Sequence, residues 1–322
     1  MKNFRKYLVL FYLLVTIFVL SCNRTPVKQF ASDTPNSGEI SINVDETFHP
    51  IIDAELDVFH AFYGDASITP YYRPELDCIN ALLRDSVRLI FVTRPLSEKE
   101  LSDFEKAKLF RPKQNKIALD GVALIVNPAN QDTLMSMFTL KDILTGKIKK
   151  WSEINPKSKL KDIKVVFDNK HSSTVRFVID SITKGDSLSN QLSSLHYNTD
   201  VINFVAENPN TIGVIGVNWV SDHQDSSSLT FLNKVKVLAL SREKVADTEN
   251  SYQPFQAYIA LGQYPLTRFL WAIESDDKIG LASGFVSFVN GDKGQRIILK
   301  SGILPINQPL RIIQVKEEMP EE

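Results

Sequence analysis

Cysteine is scarce in this chain, which has 322 residues and only Cys22 and Cys78. Two cysteines form at most one disulfide, so the multi-bridge framework of small secreted domains is excluded. Histidine is also scarce, and none of the five has the spacing of a zinc site. Neither a metal nor any other cofactor is therefore expected.

An excess of charge of either sign is absent as well. Lys and Arg number 37 and Asp and Glu number 38, which gives a formal net charge of -1. Such a chain has no overall positive field, so a nucleic-acid partner is not expected. Hydrophobic residues make up 43% of the chain, enough for a large core and for two lobes.

Long apolar runs are missing except at the N-terminus. Lys2, Arg5 and Lys6 precede an apolar run from Tyr7 to Leu20, the layout of a secretory signal. The run is short for a membrane span of roughly 20 residues, although an uncleaved anchor is the alternative. Leu20-Ser21-Cys22 resembles a bacterial lipobox, which implies cleavage before Cys22 and acyl chains on that residue.

These features predict a lipoprotein of the cell envelope on the extracytoplasmic side of a membrane. Residues 1–21 are expected to be the signal peptide and residues 22–38 a polar, flexible tether. Residues 316–322 are expected to be a frayed charged tail. With Cys22 acylated, Cys78 would have no disulfide partner, and its amphipathic surroundings predict a small buried core residue.

Between these ends, strands alternate with helices, which predicts an α/β fold with mostly parallel sheets. Two apolar strands, expected at Ile117–Val126 and Phe255–Leu261, are candidates for crossovers between two lobes. Residues 39–118 and 255–315 would then form lobe one, and residues 119–254 lobe two. A ligand cleft is expected between the lobes, where loops lead into helix N-termini.

Three junctions between a strand and a helix are candidates for an anion site. They contain Thr47 and Phe48, then Arg94, and then Ser172, Ser173 and Thr174. Free backbone N–H groups and the positive end of a helix dipole attract an anion, and hydroxyl groups add donors. The alternative for Ser and Thr at a helix start is an ordinary N-cap.

Several segments, in order, resemble the phosphate-binding subfamily of type II periplasmic binding proteins. They are Thr47-Phe48, Thr93 to Leu96 with Glu100, residues 116–151, Ser172 to Thr174, Ala206 to Gly216, Tyr264 to Arg268 and Gly294 to Pro305. The resemblance implies a two-lobed fold whose cleft is joined by two crossover strands. It also implies a monomeric receptor that passes phosphate, or sulfate or another oxyanion, to an inner-membrane ABC permease.

The chain departs from that family at specific positions. A Gly-Ser-rich second loop is replaced here by Tyr71 to Leu76, with Glu75 and Asp77 nearby. Phe167 stands where many members carry Arg, and Arg94 where some carry Asp. A lipid-anchored sensor or scaffold with a degenerate cleft is therefore an alternative. A hydrolase is a further one, although no Gly-x-Ser-x-Gly motif is present.

Overall fold

The computed structural model describes residues 33–190, 192–221 and 231–307. The predicted signal peptide, Cys22, most of the tether and the charged tail lie outside these residues. The end of the predicted tether is ordered, since Thr34 and Ser37 form a hydrogen-bonded turn before the first strand.

Strands and helices alternate over much of the described chain, as the sequence predicts, although within it β8 to β11 follow one another without an intervening α-helix. The strands are β1 Gly38–Asp45, β2 Ala66–Arg73, β3 Leu89–Val92, β4 Lys113–Val126, β5 Leu134–Ser136, β6 Lys164–Phe167, β7 Leu192–Ser194, β8 Thr211–Gly216, β9 Lys236–Val237, β10 Ala239–Ser241, β11 Ser251–Tyr252, β12 Thr267–Glu274 and β13 Leu304–Pro305. The α-helices are α1 His49–Phe62, α2 Glu75–Leu83, α3 Glu98–Lys108, α4 Met137–Leu144, α5 Trp151–Ile154, α6 Ser173–Val178, α7 Asn198–Glu207, α8 Gln256–Ala260, α9 Leu281–Asn290 and α10 Asp292–Lys300.

One long path of paired strands, β2-β1-β3-β12-β4-β8-β6-β7, runs through both lobes. In the first lobe β1 lies parallel to β2 and β3, while β12 runs antiparallel between β3 and β4. In the second lobe β6 lies parallel to β7 and β8. We call the part of the fold built on β1, β2, β3 and β12 the first lobe, and the part built on β6, β7 and β8 the second lobe. Each lobe includes the helices that follow its strands.

Strand β4 belongs to both lobes and contains the crossover expected at Ile117–Val126. Its residues up to Gly121 pair with β12, and Val122 to Val126 pair with β8. The residues of this crossover are almost entirely buried, because both faces of the strand are covered. This long strand therefore connects the two lobes on one side of the cleft.

The strand expected at Phe255–Leu261 is wrong, because this segment forms the short helix α8. Ile259 is buried, whereas Tyr258 and Leu261 are exposed, so the apolar residues do not fill two covered faces. The strand that returns to the first lobe is β12, which begins at Thr267. The connection passes close to β4, since Val122 N donates to Leu266 O over 2.8 Å.

Apolar side chains fill each lobe. Phe48, Phe59, Phe91 and Phe285 pack in the first, and Trp151 and Tyr264 are fully buried against the second. Cys78 is buried as predicted. Within the ranges given above, no helix is long and apolar enough to span a bilayer. The same ranges hold no group of His, Cys, Asp and Glu arranged to bind a metal.

Candidate functional site

The first predicted junction is a tight turn at the end of β1. Glu46–Phe48 forms a 3-10 turn, and Asp45 Oδ1 accepts a hydrogen bond from Thr47 N over 2.9 Å. Thr47 and Phe48 are fully buried. Asn218 Nδ2 and Trp219 Nε1 donate to Thr47 O over 2.9 and 2.7 Å, which fixes the turn against the end of β8.

Close approach of the lobes at this turn requires glycine at the end of β8. A Cβ atom on Gly216 would lie 2.6 Å from Cγ2 of Thr47. A side chain there would push the turn out of place, because heavy atoms do not pack at that distance. Gly216 therefore allows Thr47 to reach the second lobe.

The third predicted junction starts helix α6. Ser172 is its N-cap, because Ser172 Oγ accepts a hydrogen bond from Val175 N over 3.3 Å. The N-cap role, given above as the alternative to anion binding, is therefore observed for this serine. The helix continues into a π-helical segment, Ile179–Thr183. Ser172, Ser173 and Thr174 are all buried.

These two junctions meet, and Arg268 of β12 joins them. Thr47 Oγ1 lies 3.4 Å from Ser173 Oγ, and Arg268 Nη1 donates to the same Ser173 Oγ over 3.0 Å. Arg268 Nε donates to Asp120 Oδ2 over 3.0 Å. The guanidinium carbon lies 5.7 Å from the centre of the Phe48 ring. Thr47, Phe48, Ser173 and Arg268 are thus one contiguous cluster between the lobes.

Arg94 is not free to reach into the cleft, contrary to the expectation from sequence. Its two terminal nitrogens donate to the two carboxylate oxygens of Glu100, each over 2.8 Å. Nη1 also donates to Pro95 O over 2.9 Å. The capping box at Ser97 holds Glu100 in place, so Arg94 is bound locally by its own helix.

Sequence reasoning missed Arg268, which supplies the positive charge in this cluster. In β12 the buried positions alternate, and Arg268 shares the buried register with Leu270 and Ala272. A charged residue at a buried register of a strand is rarely placed there without a partner. That register is the signal that could have identified it.

Several buried polar atoms in this cluster and in the residues next to it have no hydrogen-bond partner within the described ranges. They are Arg268 Nη2, Thr174 Oγ1, Asp45 Oδ2 and Asp168 Oδ1. Buried polar atoms are usually satisfied, so such a group next to a cleft indicates a place for a polar ligand. The set offers the ligand two donors and two acceptors.

Carboxyl groups crowd around the cluster. Burial raises the pKa of Glu46 to about 7, and the neighbouring Asp168 adds to that rise. Burial also raises the pKa of Asp168 to about 6, with a further contribution from Asp45. Glu46 accepts a hydrogen bond from Asn198 Nδ2, which ties the first lobe to the start of α7. At neutral pH part of this carboxyl charge is therefore neutralised by protons.

The class of protein follows from family comparison. A profile described as a PBP superfamily domain matches residues 31–293, so the chain belongs to the PBP superfamily of binding proteins. This agrees with the two-lobed α/β fold and with the cluster between its lobes.

Particular relatives can also be named. The phosphate-binding protein PstS of Staphylococcus saprophyticus is 26% identical over 271 residues, which cover 82% of this chain and 80% of the relative. The protein of the same name from Bacillus subtilis is 25% identical, with 60% and 57% covered. A Clostridium perfringens substrate-binding protein solved with bound phosphate has a similar fold, with a TM-score of 0.71, 20% identity and 84% and 100% of the two chains covered.

Proposed function

We propose that this chain is a non-enzymatic receptor that captures inorganic phosphate in the cleft between its lobes and delivers it to an ABC permease. The observation that carries the proposal is the buried guanidinium of Arg268. Its Nη1 donates to Ser173 at the start of α6, and its Nη2 has no partner within the described residues. The names of the relatives and the phosphate bound in the Clostridium perfringens structure support this choice of ligand.

In this proposal the anion is held by hydrogen bonds from both lobes. Arg268 Nη2 and the Thr174 hydroxyl are donors without another partner in the described residues. Thr47, Ser172 and Ser173 add hydroxyl groups at the two junctions, and Phe48 and Ser173 add backbone N–H groups. The N–H groups of Thr47 and Ser172 are already bonded within the protein. Arg268 takes the charge-balancing role that the sequence suggested for Arg94. Sulfate or another oxyanion is the competing ligand class.

The location of the receptor is part of the same proposal. Acylation of Cys22 would anchor the chain to the extracytoplasmic side of a membrane. From there the chain could reach the permease as a monomer. Cys22 itself lies outside the described residues, so its sequence context alone supports this step.

Calorimetry with phosphate and with sulfate tests the ligand. Thr174→Val is the most informative variant, because it removes a hydroxyl that has no protein partner among the described residues. We expect unchanged or higher thermal stability and roughly tenfold weaker phosphate binding, since a hydrogen bond to an anion contributes about 1.5–3 kcal/mol. Thr69→Val, at an exposed position of β2, is the matched control and should bind as the wild type does.

Two arginine variants then locate the positive charge. Arg268→Gln combined with Asp120→Asn removes a buried ion pair as a unit, so no carboxylate is left unpaired. It should bind phosphate at least about a hundredfold more weakly, because a buried charge is lost. Arg94→Ala should have a smaller effect. Equal binding by Thr174→Val and wild type would contradict this site, and wild type that binds neither anion would leave the sensor or scaffold alternative.

A further inference from the structure

Glu75, the first residue of α2, is a buried acid whose carboxylate is held by two residues from other parts of the fold, Thr93 and Arg176. Glu75 Oε1 accepts hydrogen bonds from Thr93 N over 2.7 Å and from Thr93 Oγ1 over 2.6 Å. Glu75 Oε2 accepts one from Arg176 Nε. Arg176 Nη2 in turn donates to Thr93 Oγ1 over 2.6 Å, which closes the triangle of side chains.

This triangle crosses the cleft. Glu75 begins the helix that follows β2, and Thr93 directly follows β3; both strands belong to the first lobe. Arg176 lies on α6 of the second lobe, within one turn of Ser173 and Thr174. The same short helix therefore contributes both the candidate anion contacts and the arginine that reaches the first lobe.

The charges of the triangle favour a closed arrangement. Burial would raise the pKa of Glu75, but the Arg176 guanidinium and the Thr93 hydrogen bonds outweigh it and hold that pKa below its ordinary value. Glu75 is thus ionised and paired with Arg176 when the lobes touch. Its carboxylate also adds to the rise in the pKa of Asp45, so the triangle adjoins the candidate anion site.

We propose that Glu75, Thr93 and Arg176 form a latch that holds the two lobes together over the bound anion and sets the rate of its release. The inference rests on the proposed function. Opening the cleft returns both ions to water, and a buried pair gains little over its hydrated ions, so the latch can open. Loss of Arg176 leaves the Glu75 carboxylate buried without its counter-ion, and loss of the Glu75 charge removes the attraction across the cleft, so either change disfavours the closed arrangement.

The test compares release rates of inorganic phosphate from the full chain. Glu75→Gln and Arg176→Met should each release phosphate at least about tenfold faster in stopped flow, with an association rate within about twofold of wild type. Asp180→Asn is the matched control, because it removes the exposed partner of the same arginine and leaves the latch intact. It should release phosphate at the wild-type rate.

A second measurement separates a latch from a general loss of stability. In small-angle scattering, phosphate-saturated Arg176→Met should have a larger radius of gyration than saturated wild type, while Asp180→Asn should match wild type. Wild-type release rates in both latch variants would overturn the latch and leave the proposed function standing. Slower release from Glu75→Gln would also overturn it, because Glu75 would then be competing with the anion for Arg176.

If wild type binds no phosphate, the proposed function fails by itself. Small-angle scattering without ligand then tests the latch. The proposal of a latch holds only if Arg176→Met has a larger radius of gyration than wild type. If Glu75→Gln does not fold, Arg176→Met carries the test alone, since the Arg176 side chain is 30% exposed and its replacement leaves no cavity in the core.

Discussion

Arg268 lies among buried carboxyl groups, and the balance between them determines how strongly the cleft attracts an anion. Asp45, Asp120 and Asp168 are buried near it, and the partly buried Glu46 interacts with Asp45 and Asp168. Their number exceeds that of the arginine, so unprotonated carboxylates would repel the ligand that the arginine attracts. Protons on these groups therefore belong to the energetics of binding.

Anion affinity should rise as the pH falls from 8 to 6. The pKa of Glu46 is raised by burial to about 7, and that of Asp168 to about 6, so both take up protons within this range. An anion bound nearby raises these pKa values further, so binding is accompanied by proton uptake. We expect about three- to tenfold tighter binding at pH 6 than at pH 8.

Glu46→Gln provides the control for this prediction, since it removes the carboxyl with the pKa nearest neutrality. Asp45, Asp168 and Asn198 remain around the replaced side chain. Its affinity for phosphate should vary less with pH than that of wild type, which also corrects for the titration of phosphate itself. Calorimetry in two buffers with different ionisation enthalpies measures the protons taken up. Equal pH dependence in both proteins would contradict the prediction.

A second residue, Glu55 of α1, should make stability depend on pH. Its carboxyl is fully buried, both oxygens have no partner in the described residues, and burial raises its pKa to about 8. The folded state then holds a proton that the unfolded state loses above its ordinary pKa near 4.5. Stability is therefore lost as the pH rises from about 4.5 to 8.

Glu55→Gln should accordingly be more stable than wild type at pH 8 by about 2–4 kcal/mol and similar to it at pH 4.5, in urea unfolding. Asp57→Asn, at an exposed position of the same helix, is the control and should change stability little at either pH. A stability difference of Glu55→Gln that does not grow with pH would contradict the assigned cause.

The site residues show what can be predicted from sequence and what cannot. The position of Thr47 and Phe48, and of Ser172, Ser173 and Thr174, at two strand-to-helix junctions could be predicted from local sequence signals. Arg268 could not, because its position depends on which strands pair across the two lobes, and β12 pairs with a strand about 150 residues earlier. Whether Thr174 and Arg268 bind the anion stays a prediction.

At the level of elements, local signals were reliable where they were strong. Ser97 and Glu100 have the spacing of a capping box in the sequence, and the structure has that capping box at the start of α3. The apolar run at Phe255–Leu261 misled because hydrophobicity alone does not distinguish a strand with two covered faces from a half-exposed helix. The tertiary environment of Ile259 decides the outcome.

The corner between α9 and α10 should be sensitive to a single methyl group. A Cβ on Gly294 would lie 2.5 Å from the Cα and O atoms of Val289, which are backbone and cannot move aside. Gly294→Ala should therefore lower the free energy of unfolding by about 1–3 kcal/mol. Gly64→Ala, with no atom within 4 Å of the added Cβ, is the control. Equal stability of both variants would show that the two helices separate without cost.

For the molecule as a whole, the N-terminal segment should decide where the protein resides. The Leu20-Ser21-Cys22 motif predicts a mature chain that begins at an acylated Cys22 and fractionates with membranes. Cys22→Ala should leave an uncleaved precursor or release the chain, as measured by mass spectrometry of the N-terminus in each fraction. Wild-type protein that retains Met1 would contradict the prediction and favour an uncleaved anchor.

The thiol of Cys78 is a probe of local unfolding. Cys78 lies in α2 one turn after Glu75, it is fully buried, and burial raises the pKa of its thiol well above the ordinary value. An aromatic disulfide reagent can reach this sulfur only while α2 is locally unfolded or displaced. The labelling rate therefore reports how often that opening occurs. Phosphate should slow that rate wherever closure of the cleft holds α2 down, and acylated Cys22 would contribute no competing thiol.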